Sequence, residues 1–325
     1  MSMFILNSQL SERYPTVLQG LIYTYPFDGE KHCCINDIRY AKVLSIKNGS
    51  DDLYTYFQNK GSIITNIAID LNNDDIPIVE GQYNIVAIDN KNDSLSEDVI
   101  KKIKDISAKS KTSFLINSNN LINTYYNYGG SYCYISPIIN EENIKDAITK
   151  SSLFNERLND NIYSDCINLN DGYFVIPWDN RLNEFSISLD VGIDIPSENI
   201  GIACIANNAT PLISILYNMR NKRFLLKQGT AEASYETIKE VDFIQKAKIS
   251  ITKYGDKIKV FFNDKLCLAA QVTLSTKGNK LIIGKNTIAN TSNSASIRIS
   301  NLAVYDRCLD NEDISTLNRG RLIFA

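Results

Sequence analysis

Two rhythms of apolar and polar positions divide the chain near residue 160. Between residues 41 and 150, short apolar runs alternate with helical periods. Residues 41–46 form a strand-like run. Ser50, Asp51 and Asp52 then open a helix over 50–59, Gly61 stops it, and 62–69 form a second strand. Residues 83–89 are an apolar strand, after which Asp93-Ser-Leu-Ser-Glu97 leads into a helix. That helix carries Leu95, Val99, Ile100, Ile103 and Ile106 on one side, with Ser94 or Ser96 as its cap. Residues 112–116 and 132–139 return as strands, and 141–150 close as a helix. Alternation at this spacing predicts a parallel, doubly wound sheet.

From Ile162 the helical period disappears, and runs rich in Ile, Val, Phe and Leu recur between Gly, Asn, Asp and Pro turns. This pattern predicts an all-β sandwich. Its strands are expected at 165–169, 173–176, 184–191, 201–206, 212–218, 223–228, 247–254, 257–263, 265–272, 280–284 and 296–305. Lys253-Tyr-Gly-Asp256 and Asn263-Asp264 have the composition of hairpin turns, Gly255 supplying positive φ. The expected fold class is therefore α+β and multidomain.

Composition narrows the partners. At 325 residues, 44% hydrophobic and 22% charged, the chain has the makings of two ordinary cores. A formal charge of −3 leaves no basic footprint for phosphate backbones or anionic lipid, so no nucleic acid and no membrane partner is expected. No apolar stretch approaches the ~20 residues of a spanning helix, and residues 1–20 lack the basic and small-residue flanks of a secretion signal. The seven cysteines are scattered, odd in number and never spaced C-x-x-C, so reduced thiols are expected rather than disulfides or zinc. The abundance of Asn, Ile, Lys, Asp and Tyr, with 18 Tyr against one Trp, points to a low-GC genome.

Several segments carry a family resemblance. Lys253-Tyr-Gly-Asp-Lys-Ile-Lys-Val-Phe-Phe-Asn-Asp-Lys-Leu266 is similar to the turn, aromatic strand and hairpin of concanavalin A-like (laminin G-like) jelly rolls. The segment from Ser296 through Tyr305-Asp-Arg307 to Leu317 resembles their last strand, acidic turn and short helix. Asp171-Gly-Tyr-Phe-Val-Ile-Pro177, with Glu184-Phe-Ser-Ile-Ser-Leu-Asp190, resembles the opening of the sandwich, and Gly20-Leu-Ile-Tyr-Thr-Tyr-Pro-Phe-Asp-Gly29 its first strand. The resemblance implies that the first strand lies beside the last. The expected organisation is an arm at 1–19, the first strand at 20–30, a flavodoxin-like α/β insertion at 35–155, the concanavalin A-like sandwich at 160–318 and a tail at 319–325.

Candidate chemistry is sparse. Glycoside hydrolases of this fold class pair two carboxylates across a cleft, and no Glu-x-Asp-x-x-Glu motif stands here; Glu184 and Asp190 bracket an apolar strand. The single histidine, His32, adjoins Cys33 and Cys34, but adjacency along a chain is not catalytic geometry. Glycine-rich phosphate loops are absent. No catalytic residue and no cofactor is therefore expected. The resemblance implies a rim-loop calcium site at Asp171, Asp179 and Asn286, with Asn180 and Asn290 in the same loops; the other reading is that these are plain turn formers. Glycan or partner contacts are expected at Trp178, Asn180, Asn207 and Asn208, and at Tyr125, Tyr126 and Tyr128 in a loop closed by Gly129-Gly130. For Trp178 a packing role is the alternative.

The expected function is a non-enzymatic virion structural, decoration or attachment protein of a low-GC phage, assembled in the host cytoplasm. Its partners would be other virion proteins or host surface glycan, with homo-oligomerisation left open. The alternatives are a bacterial carbohydrate-binding protein and a glycan-active hydrolase.

Overall fold

The computed structural model describes residues 21–25, 34–35, 38–141 (without 79–81, 92–93, 111, 121–122, 127–131 and 138), 143–144, 162–163, 166–170 and 173–319 (without 180–181, 196–197, 230–233, 237–240, 242–245, 275 and 286–295). The protein is mostly β. It divides into one unit of Met1–Glu30, Asn155–Phe174 and Trp178–Ala325, and another of Lys31–Phe154 with Val175–Pro177. The chain thus enters the first unit at β1 (Leu21–Tyr25), builds most of the second, and returns.

The second unit is built on a parallel sheet. Its strands are β2 (Lys42–Lys47), β3 (Ile63–Ile67), β4 (Ile85–Asn90), β5 (Ser113–Ser118), β6 (Asn123–Tyr126) and β7 (Tyr132–Ser136), in the order β3-β2-β4-β5-β7-β6. All neighbours run parallel except the last pair. Helix α1 (Asp52–Asn59) joins β2 to β3, and α2 (Glu97–Ser110) joins β4 to β5. Every residue of β4 and β5 is buried, as expected of central parallel strands. Side chains two apart share a face, so Leu44, Ile46, Val86, Ile88, Phe114, Ile116, Cys133 and Ile135 form one core with Val99 and Ile103 of α2. Ser96 caps α2 through its hydroxyl, which accepts the Val99 N–H at 3.3 Å.

Helix α1 is capped from a distance. Its N-cap residue, Asp51, makes no side-chain capping bond, and Ser50 Oγ is buried with no partner among the described residues. Asp89, on β4, instead accepts the Leu53 and Tyr54 N–H groups at 3.0 and 3.1 Å. The expected local start at Ser50 is thus replaced by a carboxylate that the fold delivers to the helix N-terminus.

The first unit holds two antiparallel sheets, a β-sandwich. The strands that follow β7 here are β8 (Cys166–Asn170), β9 (Phe174–Pro177), β10 (Phe185–Ile195), β11 (Asn199–Asn207), β12 (Thr210–Asn218), β13 (Arg223–Gln228), β14 (Ala247–Tyr254), β15 (Lys257–Phe262), β16 (Lys265–Gln271), β17 (Lys280–Ile283) and β18 (Ser296–Tyr305). The larger sheet runs β16-β15-β14-β10-β18-β1, with β8 also on β18. The smaller runs β17-β11-β12-β13 and ends on Ser234–Glu236. First and last long strands are neighbours: Leu21 faces Tyr305 and Tyr25 faces Leu302.

Alternation builds the sandwich core. On β10, Ile187 sits between Ile251 and Val304, Leu189 opposite Ile249, and Val191 between Ala247 and Ile299. Each such buried aliphatic side chain contributes about 1.5–3 kcal/mol. The sheets meet where Phe224 of β13 approaches Phe262 of β15, ring centroids 6.2 Å apart. The outer side of the larger sheet is covered at one end by α3 (Asn311–Arg319), whose Ile314 and Leu317 pack with Leu309 on Phe261, Ala303 and Tyr305.

Candidate functional site

The site that emerges lies on the outer side of the larger sheet, beside the start of α3. On β14 and β15 the inward positions belong to the core, while Thr252, Tyr254, Lys257, Lys259 and Phe261 face out. Register places Thr252 opposite Lys259 and Tyr254 opposite Lys257. The opposing wall is the segment from Cys308 to Asn311, and the walls enclose a groove of ≈ 490 Å³. Its floor is buried, Thr252 and Phe261 being almost inaccessible, whereas the Tyr254 ring at its lip is 61% exposed.

Both walls are held firmly. The Ser186 hydroxyl of β10 accepts the Leu309 N–H at 2.8 Å and donates to the Arg307 carbonyl at 2.9 Å, fastening the segment to the sheet. Asp310 and Asp313 then cap α3 reciprocally: Asp310 Oδ1 accepts the Asp313 N–H at 2.8 Å, and Asp313 Oδ2 accepts the Asp310 N–H at 3.2 Å. Arg307 Nη1 reaches the same Asp313 oxygen at 2.6 Å, and this bond holds the guanidinium pKa above its ordinary value. On the other wall Gly255 turns the hairpin at φ +54°, and the Lys253 ammonium ties the turn down by donating to the Asn183 carbonyl at 2.9 Å and the Gly255 carbonyl at 2.5 Å. Burial pushes the Lys253 pKa down.

The groove therefore offers an aromatic face, hydroxyls from Thr252 and Tyr254, an amide from Asn311 and two ammonium groups. Such a mixture suits a polyhydroxylated ligand with one flat apolar face.

Those of the residues predicted from sequence that are described lie elsewhere. Trp178 is 3% exposed and packs edge-on against Phe185, ring centroids 4.9 Å apart, so its indole is not presented to solvent. Asp179 is 2% exposed. Asn207 and Asn208 form the hairpin between β11 and β12, where Asn208 adopts φ +54°. The Asn208 amide is paired with Asn279, accepting its Nδ2–H at 3.0 Å. Tyr125 and Tyr126 are corrected from loop to strand: they pair with Cys133 and Tyr132 on the edge strand β6. Asp171, Asn180, Asn286 and Tyr128 lie outside the described residues, as do His32 and Asn290. Among the described residues no group of three or more His, Cys, Asp or Glu side chains is placed to hold a metal.

Cys133, Cys204, Cys267 and Cys308 are free of disulfides. Burial pushes the Cys133 and Cys204 thiols up to about 12 and about 11, so neither is a thiolate near neutral pH. No helix among the described residues is long and apolar enough to cross a membrane.

No family model and no curated protein matches this chain. Similar solved structures include a Trypanosoma rangeli sialidase in complex with 2,3-difluoro-KDN, at 15% identity over 49% of this chain and 28% of that one, TM-score 0.42. A mutant of the same organism's sialidase displaying trans-sialidase activity aligns at 13% identity over 54% and 31%, TM-score 0.45. A structure described under the cell entry of botulinum neurotoxin type C, dependent on interaction with two ganglioside molecules, aligns at 17% identity over 51% and 45%, TM-score 0.39. The chain spans less than a third of the length of these sialidases.

These findings correct two expectations. The neighbours are sialidases, which are enzymes, and a ganglioside-dependent toxin; none of these three is a virion component. The reading as a non-enzymatic phage virion protein is withdrawn, and with it the inference that the chain is not an enzyme. That inference rested on a missing linear motif, yet catalytic groups converge from separate strands and leave no required spacing in the sequence.

Proposed function

We propose that this chain belongs to a glycan-active protein and that its sandwich unit holds carbohydrate in the groove between Tyr254 and Asp310. The observation that carries the reading is the Tyr254 ring, 61% exposed at the lip of a ≈ 490 Å³ groove whose turn is anchored by Lys253. A tyrosine ring has only two side-chain torsions to fix and so loses little entropy on binding, and the C–H face of a pyranose stacks on it. Hydroxyls and an amide alongside supply the directional bonds that select among sugars. In this reading the sandwich is concanavalin A-like, and the unit carrying the parallel sheet is a doubly wound, flavodoxin-like α/β domain.

The test is a glycan array probed with the full chain and with Tyr254→Ala and Tyr254→Phe. Release of reducing ends from the bound glycans is followed in parallel. Binding of a defined set of glycans, lost on Tyr254→Ala and retained on Tyr254→Phe, supports the reading. Removing the ring is expected to cost about 1 kcal/mol or more of affinity. Absence of binding and of product over a broad array, or binding indifferent to Tyr254→Ala, contradicts it.

A further inference from the structure

We infer that the groove selects acidic saccharides, those bearing a carboxylate or sulfate group, through Lys257 and Lys259. The inference rests on the carbohydrate reading above and adds the charge of the ligand to it. Three observations carry it. First, Lys257 and Lys259 alternate on β15, so register puts both ammonium groups on the groove side, flanking Thr252 and Tyr254. Both side chains are exposed, and neither forms an ion pair among the described residues. Exposed Lys91, by contrast, is paired with Asp52 at 3.0 Å.

Second, the carboxylate of the opposing wall is already engaged. Asp310 accepts the Asp313 N–H at the first turn of α3, where the helix dipole stabilises its negative charge. It is the N-cap of that helix and is not free to turn across the groove and neutralise the lysines. Third, the chain carries a formal charge of −3, so this positive pair runs against the overall balance. A ligand with one anionic group meets a local field of the opposite sign there, while its ring stacks on Tyr254. Lysine ammonium groups are compact point charges that accept carboxylate or sulfate alike, so the shared feature recognised is the anion on a sugar ring.

The experiment measures affinity by isothermal titration calorimetry with the intact chain and three oligosaccharides of equal length. One is an unsulfated uronate oligomer, one a sulfated galactan oligomer, and one a neutral glucan. The expected result is that at least one acidic oligomer binds about tenfold or more tightly than the neutral one, as for one or two charge-assisted hydrogen bonds. Lys257→Gln with Lys259→Gln should abolish that advantage, Lys257→Arg with Lys259→Arg should keep it, and raising salt should erode it. Comparing the two acidic arms assigns the anion to carboxylate or sulfate.

Equal binding of neutral and acidic oligomers that depends on Tyr254 overturns the acidic-saccharide inference and leaves the carbohydrate reading standing. Acidic preference that survives the double glutamine variant overturns the assignment to these lysines. No binding by any oligomer, with the variants folded by circular dichroism, overturns both.

Discussion

Asp89 shows how much one residue can be asked to do. It stands in a strand buried along its whole length, in register with Lys47 of β2 and Asn117 of β5, yet it serves as the N-terminal partner of a helix it does not belong to. Desolvation pushes its carboxyl above the ordinary range, while the Leu53 and Tyr54 N–H groups pull it back. A folded-state pKa raised above the unfolded value contributes stability that is fully present below the unfolded pKa and lost as pH rises through the folded one. The advantage of wild type over Asp89→Ala should therefore be larger near pH 4 than near pH 7. Loss of the two acceptor bonds should destabilise the chain by about 1–3 kcal/mol where the advantage is full. Urea unfolding of both proteins at the two pH values measures this; an advantage that grows with pH would refute the assignment.

Individual elements were legible where turn chemistry bounded them. β13, β14 and β18 run over the residues expected from the sequence, because an Asn, Gly or Asp turn bounds each of them and Ile, Val, Phe or Leu fills them. The start of α2 was legible through Ser96. β6 was not: Asn123-Thr-Tyr-Tyr126 is short, polar and at an edge, and only its pairing with β7 makes it a strand. The cap of α1 was equally hidden, since Asp89 lies more than thirty residues along the chain from the N–H groups it accepts.

At the same scale, the segment 308–311 owes its position to Ser186, a small polar residue on a strand that alternates apolar and polar positions. Ser186→Ala removes two hydrogen bonds that fasten one wall of the groove. It should lower stability by about 1–3 kcal/mol, read as a lower denaturation midpoint at unchanged slope. It should also weaken carbohydrate binding without touching the ligand. Unchanged affinity at reduced stability would show that the wall does not need this anchor.

At the scale of the molecule, the alternation of elements pointed to a parallel sheet and to antiparallel sheets, whereas the groove depends on strand order. Residues 252–261 and 308–311 come together because β10 lies between β14 and β18, an arrangement that no local pattern announces. The sequence did carry one sign. Lys257-Ile-Lys-Val-Phe261 alternates so that two cations and an aromatic ring share the side away from the core, next to the tyrosine of the preceding turn. Asn208 and Trp178, singled out from sequence, are instead engaged in a turn and in packing.

Hydrogen exchange read by mass spectrometry, with and without the tightest-binding oligosaccharide, tests the location of the site most directly. The account predicts new protection concentrated in residues 252–261 and 308–312, absent in Tyr254→Ala. Protection confined to the loops around 178–183 and 207–209, with 252–261 unchanged, would contradict it and move carbohydrate recognition to the opposite sheet.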